Sequence, residues 1–136
     1  MSREGRAALQ QTIDAIESSY EFMLAYAAQG RDAEPRDPEP TIRTTLTTFE
    51  AALGGLCDRL QACAVGPDAA RTALDEFLSV ARRDVAAARA AVRLALAVPA
   101  ISSQLIDNLN ASIHIRALLT DVFLVDEALG ILVRHG

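Results

Sequence analysis

Four polar residues in the last third of the chain are its best candidates for chemistry: Asp107, Asn110, His114 and Asp121. Asp107, His114 and Asp121 follow one another at intervals of seven, with Asn110 one turn before His114. On a helix this spacing keeps them near one line, inside an otherwise apolar arc where polar groups need partners. An imidazole set between carboxylates can act as a base, a ligand or a pH-sensitive contact. A heptad step is about 10 Å, so one helix cannot chelate an ion with these residues alone. The competing reading is that they satisfy one another across a subunit interface or reach solvent at its margin. His135 stands next to the last residue, where fraying works against exact placement.

Other constellations have weaker chemical meaning. Asp14, Glu17 and Glu21 form an acidic row that could attract Mg²⁺, but no E-x-x-E pair accompanies it. Arg71, Arg82, Arg89 and Arg93 share a helical row about 33 Å long, which could hold an anion or an acidic partner or could be a solvated flank. Gly54-Gly55 falls inside a helical segment, where each glycine costs about 1 kcal/mol against alanine. A close helix crossing explains the pair, as does a kink beside a ligand cavity. Tyr20 and Tyr26 lie near Glu17 and Glu21, and the expected role is packing with a satisfied hydroxyl. Cys57 and Cys63 are six residues apart, about 9 Å along a helix and on different faces. That forbids a bridge within the helix and suits a reducing compartment, with both thiols as inert packing.

Standard motifs are missing from the sequence. The residues three before His114 and His135 are Ala111 and Leu132, so the E-x-x-H of di-iron carboxylate bundles does not occur. Nor do H-E-x-x-H, C-x-x-C, G-x-G-x-x-G, G-x-x-x-x-G-K-[ST] or G-x-S-x-G. No cofactor or metal is expected on these grounds.

The elements that must position these residues can be read from punctuation and apolar spacing. Gly30 to Pro40 (GRDAEPRDPEP) alternates prolines with charges and cannot be helical. Gly66-Pro67-Asp68 reads as a helix stop and then a new start, with Asp68 as the cap. Val98-Pro99-Ala100 predicts a short turn, with Ser102 or Ser103 capping the next helix. Between these points apolar residues step by four and three: Leu9, Ile13, Ile16, Tyr20, Met23 in the first segment; Ile42, Leu46, Phe49, Leu53, Leu56, Leu60, Cys63 in the second; Leu74, Phe77, Ala81, Val85, Ala88, Val92, Ala95 in the third. Helices are expected near residues 3 to 29, 41 to 65, 68 to 97 and 101 to 134, packed as a single-domain antiparallel four-helix bundle running up-down-up-down.

The fourth segment carries two apolar stripes. One runs through Ile106, Ile113, Ala117, Thr120, Leu124, Ala128 and Ile131; the other through Ile115, Leu118, Val122, Val125, Leu129 and Leu132. A bundle uses about one stripe per helix. The second stripe, Ile115 to Leu132, is therefore expected to form a homodimer interface.

Composition bounds the rest. The chain has 136 residues, 51% apolar, with 26 Ala and 17 Leu and a net charge of −5. That balance offers no general attraction to nucleic acid or to an anionic membrane. All 13 basic residues are Arg, which with the alanine content suggests a GC-rich bacterial genome. With no leader or long apolar run, a soluble cytoplasmic protein is expected. The expected function is a non-catalytic protein-protein interaction module, an adaptor, chaperone or regulatory subunit, acting as a homodimer. The alternative is a small-molecule or metal-binding bundle, with or without enzymatic activity, whose site lies near Gly54, Gly55 and His114.

Overall fold

The computed structural model describes residues 2–135 and, among them, contains five helices and no strand. Helix α1 spans Arg3–Ala27, α2 Ile42–Ala62, α3 Asp68–Ala97, α4 Ser103–Ala111 and α5 Ile113–His135. None of these is long and apolar enough to cross a membrane.

The helix ends lie where local chemistry puts them. The Ser2 hydroxyl accepts the Gly5 N–H at 2.9 Å, and Thr41 and Thr44 cap one another at the start of α2. After α1 the chain turns through Gly30 at φ 66°, and before α3 it turns through Gly66 at φ 102°, both in the left-handed region that favours glycine. At the start of α3 Pro67 holds the cap position and no side chain bonds the first turn, so Asp68 is the first helical residue and not the cap. Val98 turns extended before Pro99, ending α3, and Ser102 caps α4 through the Leu105 N–H.

The fourth segment departs from expectation: it is two helices, not one. Ser112 adopts an extended backbone at φ −64° and ψ 147°. Its N–H still donates to the Leu109 carbonyl, closing α4, while its hydroxyl accepts the Ile115 N–H at 3.3 Å and opens α5. A serine can serve both ends in this way because its short hydroxyl replaces a missing backbone partner. The break separates the buried face of α4 from that of α5, although both apolar stripes still run along α5. α4 buries Ile106 and Leu109, α5 buries Ile115, Leu118, Val122, Val125 and Leu129, and the two sets need not share one helical phase.

Packing is antiparallel at each main contact. Ascending α1 meets descending α2, with Cys63 near Gly5 and Arg59 near Thr12. Glu50 and Asp58 of α2 meet Arg89 and Arg82 of α3. α4 lies along α1, where Met23 and Tyr26 meet Asn110 and Ile101, and α5 lies along α3. Phe49, Ile13, Ile16, Leu46, Leu53 and Leu56 fill the centre and are almost wholly removed from water.

The loop between α1 and α2 is tied to the turn between α3 and α4. Glu34 accepts the Arg43 Nε–H at 2.8 Å and the Ile101 N–H at 3.0 Å. Arg43 also donates to the carbonyls of Leu96 and Val98, occupying acceptors that the end of α3 leaves open. The Tyr26 hydroxyl donates to the Ile101 carbonyl at 2.6 Å, and Ser103 donates to the Tyr26 carbonyl at 2.7 Å. Tyr26, not Tyr20, is thus the fully buried phenol of α1.

Candidate functional site

The polar line read from the sequence does not assemble. The break at Ser112 places Asp107 and Asn110 on α4 and His114 and Asp121 on α5, and they face different neighbours. Asp107 and His114 are exposed. Asn110 is buried against α1, where its Nδ2 donates to the Met23 carbonyl at 3.1 Å and its Oδ1 has no partner among the described residues. Asp121 is buried on the side of α3, facing Asp84.

The glycine pair has a third explanation beyond crossing or cavity. A methyl group on Gly54 would stand 3.2 Å from the guanidinium carbon of Arg89, and one on Gly55 would stand 2.6 Å from Nη1 of Arg59. Each glycine therefore seats an arginine head close against α2. Arg89 reaches Glu50 at 2.7 Å from that seat, and Arg59 reaches the Thr12 hydroxyl at 2.6 Å. Gly54, Gly55 and His114 line none of four surface clefts of about 80 to 440 Å³.

The basic row of α3 is committed within the chain. Arg82 binds Asp58 and Gln61 at 3.0 Å each, Arg89 and Arg93 both bind Glu50, and Arg71 donates to the Gly66 carbonyl. The hydrogen bond from Arg89 holds the Glu50 carboxyl below the usual range against the opposing effect of burial. The row is a seam between α2 and α3. The acidic row of α1, Asp14, Glu17 and Glu21, lies along the surface with all three side chains exposed. No group of three His, Cys, Asp or Glu side chains suited to a metal ion occurs among the described residues. Cys57 and Cys63 are free and buried, and burial pushes both thiols up, away from the reactive thiolate.

The surface feature that stands out is an apolar groove between α3 and α5, with a volume of about 440 Å³. Ala70, Ala73, Leu74 and Phe77 form one wall. Leu124, Val125, Ala128, Leu129, Ile131 and Leu132 form the other. Small alanines on both helices leave the space, and larger residues line it. Leu124 is 54% and Ile131 44% exposed, with Phe123, Ile113 and Val80 also open on these two helices. Clefts of about 230 Å³ beside the proline-rich loop and about 210 Å³ among the hydroxyls of α1 and α2 are smaller and more polar.

The stripe assigned to a dimer is thereby reversed. Ile115, Leu118, Val122, Val125 and Leu129 belong to the chain's own core, and Leu132 is half-buried. The stripe through Ile113, Leu124 and Ile131 is the one left facing water. Of the six residues expected at an interface, only Val125, Leu129 and Leu132 reach the groove wall. Periodicity identifies two stripes but not which of them the other helices cover.

No protein-family model, curated protein or solved structure matches the chain.

Proposed function

We propose that the protein is a non-catalytic interaction module that works as a homodimer and docks a partner's apolar helix face through the α3–α5 surface. In this reading α4 and α5 together stand in for the fourth member of an antiparallel bundle, and the module works in a bacterial cytoplasm, where Cys57 and Cys63 stay reduced. The observation that carries the proposal is the groove itself. Ten apolar residues line it, none of them able to donate or accept a proton in a reaction. Half-exposed Leu124 and Ile131 on its rim are the residues an amphipathic helix would cover. Contiguous exposed apolar surface of this kind marks contact sites more often than chemistry.

Sedimentation of the wild-type chain at micromolar concentration tests it. A mass near twice 14.5 kDa is expected, with return to 14.5 kDa on changing Leu124 and Ile131 together to Glu. A wild-type protein that sediments as a monomer removes the homodimer. A second reading, retention of a small apolar ligand, is favoured by one feature: the volume of about 440 Å³ lies within the range of small-molecule sites. Stoichiometric uptake of a fatty acid by a monomeric chain separates it from helix docking.

A further inference from the structure

Beyond the groove, the same α3–α5 seam carries a pair of acids. α3 contributes residues 70–77 to its walls and α5 residues 124–132. The next turns along the same seam set Asp84 of α3 against Asp121 of α5. Asp121 is only 7% exposed, and its Oδ2 has no hydrogen-bond partner among the described residues. A buried carboxylate oxygen without a donor is costly, and two facing carboxylates have no hydrogen to share. One proton changes both facts, because it supplies the missing donor and removes a like-charge contact.

The surroundings offer no substitute for that proton. From α3, Asp84 faces the group with a negative charge. From α2, the Cys57 thiol lies within electrostatic reach of Asp121 and also senses Asp58 and Arg82. Arg82 is bound to Asp58 and Gln61. Burial first, then the hydrogen bond and charge of Asp84, push the Asp121 carboxyl up to about 7.

We propose that Asp84 and Asp121 form a proton-operated clamp on the α3–α5 seam: the shared proton pins the two helices beyond the groove, and its loss sets the buried Asp121 carboxylate against the half-buried Asp84 carboxylate and loosens the seam that holds the groove. The clamp does not depend on what the groove binds. Its sign is set by linkage. The folded chain holds a proton that the unfolded chain releases near 3.8, so stability is fully present below that value and is lost as pH rises to about 7.

Urea unfolding of the full chain between pH 5 and 8.5 tests the clamp. The unfolding constant of the wild type is expected to rise about tenfold per pH unit up to about pH 7 and then to level off. Asp121→Asn, which keeps the shape and cannot ionise, is expected to abolish the rise. An apolar fluorescent dye should bind the folded wild type more strongly as pH passes 7, and Asp121→Asn should not show that change. A flat wild-type profile, or the same slope and dye response in Asp121→Asn, overturns the proposal. Should the variant fail to fold, carboxyl-carbon NMR of the wild type decides alone: titration of Asp121 near neutrality supports the clamp, and titration in the ordinary carboxylate range ends it.

Discussion

Replacing Gly54 by alanine should be nearly neutral in the wild-type chain and stabilising once Arg89 is shortened. In the middle of a helix, glycine to alanine is worth about 1 kcal/mol, because glycine loses more backbone freedom on folding. Here the new methyl group would lie 3.2 Å from both Cζ and Nη2 of Arg89, closer than the roughly 3.5–4.0 Å of ordinary carbon contacts. The guanidinium must lift by a few tenths of an ångström, and it is not free to do so. Its Nε sits 2.7 Å from Glu50, in a pair whose side chains are 31% and 19% exposed. Weakening a charged hydrogen bond of this partly screened kind costs on the order of 1 kcal/mol, enough to cancel the helix gain. In an Arg89→Ala background the clash is gone, and about 1 kcal/mol of stabilisation should appear. The assay is a double-mutant cycle of Gly54→Ala and Arg89→Ala by urea denaturation, with an expected coupling of about 1 kcal/mol. If Gly54→Ala stabilises both backgrounds equally, the glycine is not a seat for Arg89 and the reasoning fails.

Tyr26→Phe should cost about 1–2 kcal/mol in chemical denaturation, since it leaves the buried Ile101 carbonyl without the donor it has at 2.6 Å; an unchanged midpoint would show that the contact is dispensable. Glu34→Gln should cost about 1 kcal/mol by removing charge-assisted bonds to Arg43 and to the Ile101 N–H, measured in the same way. The Glu34 carboxyl is held low chiefly by that Ile101 N–H, and Glu50 chiefly by Arg89. Their contribution is therefore complete above the usual 4.5 and lost as pH falls through their lowered values. Acid unfolding of the wild type should begin below that point and shift upward in Glu34→Gln. Cys57 and Cys63 should resist a thiol reagent until the chain unfolds, and rapid labelling of the native protein would contradict their burial.

Much of the local structure is legible from composition and spacing alone. Prolines and charges around 30–40, the glycines at 30 and 66 and Pro99 mark where helices stop, and apolar steps of three and four identify the faces that pack. The third helix runs from Asp68 to Ala97, the span that its flanking prolines delimit, and Leu46, Phe49, Leu53, Leu56 and Leu60 are buried as their stripe implies. These features depend on interactions within one or two turns, which a linear string contains. The break at Ser112 is not legible there, because a serine inside a helical pattern carries no mark until its hydroxyl finds the Ile115 N–H. Other features depend on how each helix is rotated against partners dozens of residues away. Only that rotation decided that Ile115, Leu118 and Val122 turn inward while Leu124 and Ile131 face water. It also brought Glu50 to Arg89 and Arg93, neutralising a row that looks free along the chain, and set Asp84 against Asp121. Sequence determined which residues could form helical faces; tertiary packing decided which faces and charges were left for a partner, because burial belongs to pairs of helices and not to any one of them.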